Sequence, residues 1–357
     1  MDFINKFENI KIPKKLISKY PRHYTEVKLM IFNRIKKKII HDKLYNIYKY
    51  FNKNDIIIGN NSKTYPIKYN CYKNITNNIS NIETYLLKEL NPIHNIWDIL
   101  VNPARKIRLG NKIYFKYKTK KRFIEAEIID NTTSKGRLLK FITNKDNITL
   151  KKNIFKFGKF LLHKNIIKNK NINIKFYQNS YAKKIGSTIF PTSGAYFHKN
   201  ILLNLKLHNI KFLKITLHLN FNKYFNFNIK TLSKYKNLNS EQLFIKKKVI
   251  KTIKKYLKRK KSIKLCALGS NTLRAIENII YDKNILIPYK GYINKMFNYG
   301  YKYKFINSLI TYFNEFDSIN FISLLNLCGI NNVYNIYKEA IKFNYNFFTY
   351  GDLLLII

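Results

Sequence analysis

The sequence predicts an α/β protein into which a small antiparallel β-barrel is inserted. After about residue 153, strand-like runs alternate with helical runs, a pattern typical of an α/β domain with a largely parallel sheet. Between about residues 69 and 149, short strand-like runs follow one another with little helix, which favours a small antiparallel sheet or barrel. The 357 residues, 46% of them hydrophobic, are sufficient for a core in each part. We predict one domain from residues 1–66 with 153–357, and a second from residues 67–152.

The barrel prediction depends on short apolar runs that are separated by turn-forming residues. The runs are IETYLLKE, NIWDILV, NKIYFKY, FIEAEIID and RLLKFIT. The segments LNP, LGN and NTTSKG between them contain the Pro, Gly, Asn and Ser that turns require. Five or six strands at this spacing are enough to close a small barrel.

The α/β prediction depends on the pattern of the C-terminal half. FLKITLHL and KLCALG indicate strands, and residues 246–258 predict a helix with apolar residues on one face and lysines on the other. NTLRAIENIIY predicts a second helix, and two more are expected near residues 318–327 and 332–343. The apolar C-terminus after Tyr-Gly-Asp predicts a last strand in the core.

The chain is strongly basic, with 68 Lys and Arg against 19 Asp and Glu, a formal charge of +49. Such a charge attracts polyanions, of which RNA and DNA are the first candidates. The alternative is codon drift, because Lys, Asn, Ile, Tyr and Phe have AT-rich codons and all are abundant. The same drift erodes Gly, Pro, Ala and Arg, so clusters of these residues indicate positions where the backbone or the chemistry needs them.

Cysteine and histidine patterns suggest neither a disulfide framework nor a metal site. The three cysteines are odd in number and far apart, which favours a reducing compartment. The seven histidines form no metal-binding motif, and we expect no metal cofactor. No signal peptide and no apolar run near the ~20 residues of a membrane helix is present, so a cytoplasmic protein without membrane contact is expected.

The stretch LCALGSNTLRAIEN, residues 265–278, combines a strand, a Gly turn and a helix. Ligands of α/β proteins bind outside the carboxyl ends of parallel strands, where helix N-termini favour anions. Arg274 could hold a carboxylate or phosphate through its planar guanidinium. An ordinary βα turn with an Arg274–Glu277 helix pair is the alternative.

Three further positions carry side chains suited to acid–base chemistry. His218 closes a predicted strand and could act as a general base, although a lone histidine can equally be structural. Ser240 and Glu241 lie in a polar segment, for which an ordinary surface loop is the alternative interpretation. Asp352 follows a Gly at the entrance to the last strand, where turn capping is the alternative role.

The segment FPTSGAYF, residues 190–197, gathers Pro, Gly and two small hydroxyls in a chain with only 11 Gly and 7 Pro. A loop of this kind before a helix lets a ligand approach the backbone closely. The spacing of its glycine matches neither a phosphate-binding loop nor a dinucleotide-binding motif. Alone, it could also be a tight turn.

Taken in order, these stretches resemble the S-adenosylmethionine:tRNA ribosyltransferase-isomerase family of queuosine biosynthesis. That family carries a YQ…YA…G…APTAGLHF stretch, then TLHxGxGTF, HxMxSE, CAVGTTxxRxIES, ALITNFHxPxSTLL and a YRFFSYGDAMLI ending. The corresponding segments here contain YQNSYA, FPTSGAYF, TLH, NLNSE, CALGSNTLRAIEN, SLITYFNEFDSINF and YNFFTYGDLLLII. NIKIPKKLISKYP, KLMIFNR, IGNNSKTYPIK and WDILVNPARKIRLGNKIYF are similar to earlier parts of the family, so the resemblance covers nearly the whole chain.

The resemblance implies an α/β body with a small β-barrel and a defined reaction. The ribosyl part of S-adenosylmethionine is transferred to, and isomerised on, a 7-aminomethyl-7-deazaguanine base at the wobble position of tRNA. The products are epoxyqueuosine in the tRNA, adenine and methionine. S-adenosylmethionine is thus a substrate, no metal is needed, tRNA is the partner, and we expect a monomer.

The resemblance also implies candidate residues. Those expected to be catalytic are His218, Glu241 and Asp352. Those expected to bind substrate are Asn60, Lys63, Lys68, Pro191, Thr192, Gly194, Phe197, Ser240, Gly269, Arg274 and Glu277. Their individual roles, beyond a base, an acid and a pocket, stay open.

Several positions differ from the family pattern. Asn60-Asn61-Ser62 stands for Asn-Asp-Thr, and Lys68 stands for an arginine. Tyr196 and Asn314 replace two histidines. An active enzyme is the first hypothesis, and a tRNA-binding member that has lost catalysis is the alternative.

Overall fold

In a computed structural model, the structure describes residues 3–73, 80–116, 123–161, 166, 177–221, 237–259, 263–283 and 285–357. The strands are β1 Lys28–Asn33, β2 Lys38–Lys43, β3 Ile56–Asn60, β4 Ser62–Thr64, β5 Lys68–Tyr72, β6 Asn81–Asn91, β7 Ile96–Asn102, β8 Lys112–Lys116, β9 Phe123–Asn131, β10 Gly136–Ile142, β11 Lys184–Ser187, β12 Lys211–His218, β13 Asn237–Ile245, β14 Leu265–Leu268, β15 Tyr289–Lys295, β16 Ser308–Tyr312 and β17 Leu353–Ile356. The α-helices are α1 Phe3–Glu8, α2 Asn147–Phe155, α3 Lys199–Leu207, α4 Lys247–Arg259, α5 Ser270–Lys283, α6 Ile319–Cys328 and α7 Ile330–Lys342. Short 3-10 helices span Lys14–Leu16, Leu44–Tyr50, Ala104–Lys106 and Thr192–Gly194.

The chain divides into two compact units. The first contains Met1–Lys63, Leu162–Ile185 and Phe190–Ile357, and the second contains Thr64–Leu161 and Gly186–Ile189. The predicted domain limits, after residues 66 and 152, stay a prediction, and the contacts divide the chain close to them.

The first unit is built on a nine-stranded sheet in the order β15-β13-β12-β3-β14-β16-β17-β1-β2. Four adjacent strands, β12, β3, β14 and β16, run parallel. The strands on either side pair with them in antiparallel fashion, β13 with β12 and β17 with β16. The sheet is therefore mixed, whereas the sequence predicted a largely parallel one, because strand runs alone do not show which strands become neighbours.

The parallel strands are buried on both faces. Every position of β3, β14 and β16 is buried, which matches their continuous apolar runs. Helices α4 and α5 contribute Ile253 and Ile276 to the same hydrophobic core as Ile56 and Ile58 of β3. This packing fixes the ends of the parallel strands, where the candidate site lies.

The second unit contains a closed antiparallel barrel in the order β10-β7-β6-β5-β8-β9. The five predicted runs form β6 to β10, and β5 completes the barrel. The predicted fold class, a larger α/β body with an inserted antiparallel β-barrel, is confirmed. Within the described residues, no helix is both long enough and apolar enough to cross a membrane.

Candidate active site

The carboxyl ends of the four parallel strands meet at one edge of the sheet. His218 ends β12, Asn60 ends β3, Gly269 follows β14 and Tyr312 ends β16. Because β17 is antiparallel to β16, Asp352 enters the sheet at this same edge, beside Tyr312. The edge where α/β proteins bind ligands therefore gathers most of the motifs that the sequence singled out.

The imidazole of His218 lies in a buried position and is held through one nitrogen. The residue is 8% exposed, and its Nδ1 lies 2.7 Å from the Ser62 Oγ. Burial, assisted by the positive charge of Lys184, lowers the pKa of His218 to about 4. His218 is consequently neutral at pH 7, with a lone pair on one ring nitrogen.

The side chain of Asn60 joins the ends of β3 and β12. Its Nδ2 donates to the Leu217 carbonyl at 2.8 Å, and its Oδ1 accepts from the Leu217 backbone N–H at 3.0 Å. The same Oδ1 accepts from the backbone N–H of Ser62, also at 3.0 Å. The side-chain amide of Asn60, which was expected to bind substrate, is thus hydrogen-bonded to the backbone of Leu217 and Ser62.

Arg274, which is buried, and Glu241, which is partly buried, form an ion pair. Arg274 projects from α5, Glu241 from β13, and the guanidinium Nη2 contacts the Glu241 Oε2. The Nε and Nη1 groups of Arg274 are buried without a hydrogen-bond partner in the described part of the chain. Unpaired buried donors are costly, by about 1–3 kcal/mol each, so these groups are suited to receive an anionic ligand.

Ser240 lies beside this pair but is exposed, and its backbone carbonyl accepts a hydrogen bond from Asn220 at 3.0 Å. Its hydroxyl is therefore placed at the surface rather than in the buried pair.

Side-chain alternation places His218 and the ion pair on opposite faces of the sheet. His218 is paired with Gln242 in the β12–β13 ladder, and the neighbouring Leu217 and Leu243 belong to the core beneath α5. Glu241 shares the face of Leu243, since residues two apart point the same way. A ligand that contacts both groups must lie across the strand ends.

The loop of residues 190–197 packs against these ends. Gly269 has φ +97°, and a Cβ there would lie 2.8 Å from the Ser193 Oγ, so glycine is required for this approach. The hydroxyl of Tyr312 donates to the carbonyl of Thr192 at 3.1 Å. The loop is therefore a fixed part of the edge.

Other residues of the same loop are occupied internally. The Pro191 carbonyl accepts from Asn179, and a Cβ on Gly194 would collide with the Tyr181 hydroxyl. Phe197 is fully buried and stacks near Phe212, with ring centroids 6.2 Å apart. These contacts hold the loop, and they leave Thr192 and Ser193 as its half-buried polar members.

Tyr196 holds the loop at the position where the family pattern has a histidine. Its hydroxyl donates to the Tyr350 carbonyl at 2.5 Å, and burial raises its pKa to about 12. It stays neutral at pH 7 and ties the loop to the turn before β17.

Asp352 is fully buried and its carboxylate is occupied. Oδ1 accepts from the Arg22 guanidinium and from the Lys28 backbone N–H, each at 2.7 Å, and Oδ2 accepts from the Asn346 backbone N–H at 2.7 Å. Burial by itself lowers the pKa of Arg22, but the charge of Asp352 and the hydrogen bond to it have the larger combined effect, so the pKa of Arg22 is raised. Asp352 therefore anchors the turn and Arg22.

Glu277 is also completely buried, and it caps backbone rather than facing the site. Its carboxylate accepts from the backbone N–H groups of Lys304, Phe305 and Ile306 at 3.1, 2.9 and 2.8 Å. Arg274 pairs with Glu241 on β13, and the alternative Arg274–Glu277 helix pair is not formed.

The two predicted lysines belong to different units. Lys63 is exposed in the first unit. Lys68 lies in the second unit, where it pairs with Glu83 and lies 5.6 Å from the Tyr85 ring centroid. Hydrogen bonding to Glu83 is the main cause that raises the pKa of Lys68.

Sequence reasoning missed Arg22 and the role of Ser62. Arg22 stands in KYPRHY, where nothing separates it from the many other basic residues. Ser62 was recognised as part of the Asn-Asn-Ser segment, but its contact with His218 joins residues 156 positions apart.

Comparisons with known proteins decide the family. A family model described as "Queuosine biosynthesis protein" matches residues 5–356. The chain belongs to this family. Members named S-adenosylmethionine:tRNA ribosyltransferase-isomerase include that of Flavobacterium psychrophilum, 34% identical over 348 residues, and that of Amoebophilus asiaticus, 33% identical over 349 residues. Both alignments cover 97% of this chain and 97% of the relative.

A solved structure gives the same fold. S-adenosylmethionine tRNA ribosyltransferase from Thermotoga maritima aligns with a TM-score of 0.52 and 21% identity, covering 98% of this chain and 99% of the other. The family model and the relatives of 33–34% identity confirm the predicted membership of the ribosyltransferase-isomerase family.

We expect Glu277 to matter for stability rather than for substrate binding. Because three backbone N–H groups depend on its carboxylate, Glu277→Gln should lower the free energy of unfolding by about 2 kcal/mol or more. Denaturant unfolding measures this effect, with the exposed Glu26→Gln as the control. Unchanged stability together with weaker S-adenosylmethionine binding would contradict the structural role.

Proposed function

We propose that this protein is an S-adenosylmethionine:tRNA ribosyltransferase-isomerase. It transfers and isomerises the ribosyl group of S-adenosylmethionine onto the 7-aminomethyl-7-deazaguanine base at the tRNA wobble position. Epoxyqueuosine in the tRNA, adenine and methionine are the products. The observation that supports the proposal is the position of His218 at the carboxyl end of β12 and of Gly269 at the carboxyl end of β14, with Arg274 on the helix that follows β14, in a chain of this family.

His218 is proposed as the general base. The reaction needs a base for the acidic proton beside the sulfonium, and a neutral imidazole at the end of β12 supplies a lone pair at pH 7. The low pKa of His218 makes the resting imidazole a weak base, so the imidazolium formed in the reaction needs stabilisation by its neighbours. Glu241, which was also expected to be catalytic, is already paired with Arg274.

Arg274 is proposed to hold the carboxylate of the methionine part of S-adenosylmethionine. Its unpaired Nε and Nη1 groups support this role, and Glu241 keeps the guanidinium in place. Thr192, Gly194 and Gly269 are proposed to line the same pocket. Lys63, Lys68 and Ser240 stay predicted substrate contacts.

Four predicted site residues are proposed to act through the protein's own structure. Asp352 and Glu277 have carboxylates saturated by internal donors, Asn60 has its amide on backbone groups, and Phe197 is in the core. We therefore assign them no direct contact with substrate.

The activity is tested with purified protein, S-adenosylmethionine and an anticodon stem-loop that carries the aminomethyl-deazaguanine base. Release of adenine that depends on the modified RNA is the expected result. Binding of the RNA without any adenine release would overturn the enzyme assignment and support a member that has lost catalysis.

For the base, His218→Ala should lower kcat by about 100-fold or more, the usual range for losing a general base. Initial rates of adenine release measure it, and circular dichroism verifies folding. His94→Ala, at an exposed histidine, is the matched control and should leave the rate unchanged. Near-normal turnover of His218→Ala would remove this residue from the mechanism.

For the anion site, Arg274→Lys should raise the dissociation constant of S-adenosylmethionine by about 10-fold, because lysine keeps the charge but loses the two-pronged donor. Isothermal titration measures the affinity, and Arg105→Lys at an exposed position is the control. The paired variant Arg274→Gln with Glu241→Gln avoids leaving a buried charge and should bind still more weakly. Wild-type affinity in both variants would refute the carboxylate contact.

The basic face of α4 is a proposed tRNA contact. Lys247, Lys248, Lys251, Lys254, Lys255 and Lys258 are exposed on this helix, while Val249, Ile250 and Ile253 are buried. Replacing Lys254, Lys255 and Lys258 by Glu should weaken tRNA binding and reduce the slope of log K against log salt by up to about 3.

The same charge change at the exposed Lys19, Lys36 and Lys38 is the control, because it alters net charge equally elsewhere. Equal effects of the two triple variants on tRNA binding would assign the basic face to overall charge rather than to a specific contact.

A further inference from the structure

The contact between Ser62 and His218 determines which ring nitrogen is free. Ser62 is fully buried, and its Oγ lies 2.7 Å from Nδ1 of His218. No described residue hydrogen-bonds to Nε2 of His218. Nδ1 is thus turned into the protein, and Nε2 is the nitrogen left for a ligand.

Both sides of this contact are held by the same side chain. The Asn60 Oδ1 accepts from the Ser62 backbone N–H, which fixes the serine. The Asn60 amide also binds both backbone groups of Leu217, the residue before His218. The backbone segments that carry the Ser62 hydroxyl and the imidazole are therefore held side by side by the bonds that join β3 to β12.

We propose that Ser62 is a positioning residue that makes Nε2 of His218 the nitrogen that takes the proton from the substrate. The inference rests on the proposed function, in which His218 is the base. In the resting state, Nδ1–H donates to the Ser62 Oγ and Nε2 carries the lone pair. The carbon next to the sulfonium loses its proton to Nε2 and keeps the electron pair of the broken C–H bond.

After this step the imidazolium carries N–H groups on both nitrogens, and Ser62 retains its own proton. The hydroxyl oxygen accepts a stronger hydrogen bond from the charged ring than from the neutral one. Ser62 thereby stabilises the charge that a buried imidazole otherwise tolerates poorly. A methyl group in its place removes both the orientation and this stabilisation.

The tautomer is tested by NMR of protein labelled with 15N-histidine at pH 7. The His218 signals are identified by their loss in His218→Ala. We expect a protonated Nδ1 and an unprotonated Nε2 in the wild type, and a shift of the proton towards Nε2 in Ser62→Ala. A wild-type His218 protonated on Nε2 would overturn the proposal without any reference to activity.

Kinetics provide the second test. Ser62→Ala should lower kcat by about 10-fold or more while changing KM for S-adenosylmethionine little, since a bond that strengthens in the charged state is lost. Ser62→Thr keeps the hydroxyl and should restore most of the rate, and Ser134→Ala at an exposed serine is the control. A folded Ser62→Ala with unchanged kcat, or a Ser62→Thr as slow as Ser62→Ala, would refute the positioning role.

The experiments distinguish a failure of the base assignment from a failure of the role of Ser62. If His218→Ala retains full activity while the wild type shows the expected Nδ1–H tautomer, the base assignment is lost, and Ser62 orients the imidazole without a role in catalysis. If His218→Ala is inactive and the tautomer is the opposite one, the base stands and the role of Ser62 is lost.

Discussion

The amide of Asn60 is the interaction on which the candidate site depends most. It replaces ladder hydrogen bonds at the point where β3 and β12 end, by binding the N–H and the C=O of Leu217 together. Each satisfied buried group avoids a desolvation cost of about 1–3 kcal/mol, so the amide holds two strand ends that would otherwise fray. The amide also accepts from the Ser62 N–H, and His218 is the residue after Leu217. The relative position of the serine and the imidazole therefore depends on the bonds made by Asn60.

The buried charges of the first unit fall into two kinds. Asp352 and Glu277 receive three hydrogen bonds each from the protein, which repays the cost of burying a carboxylate. Arg274 is different, since one of its donors meets Glu241 and two meet no described partner. A folded protein keeps such unpaired donors at a cost in stability, which is the observation behind the proposed anion site.

The replacement of a histidine by Tyr196 illustrates how the loop of residues 190–197 is held in this protein. A tyrosine whose pKa is raised by burial stays protonated at pH 7, and its hydroxyl donates to the carbonyl of Tyr350. Together with the bond from Tyr312 to Thr192, it fastens the loop at both of its sides. The position therefore serves as a structural anchor.

The sequence by itself determined the α/β class, the inserted barrel and the family, because apolar periodicity, turn residues and motif order are local properties of the chain. It also placed His218 at the end of a strand and Arg274 on the helix that follows the Gly turn. Only the tertiary structure decided that Arg274 pairs with Glu241 rather than with Glu277. It also decided that the side chains of Asp352 and Asn60 hydrogen-bond within the protein, and that Ser62 contacts His218. The physical reason is that a side chain's role follows from its hydrogen-bond partners, and these partners lie far along the chain and become neighbours only when the strands are ordered in the sheet.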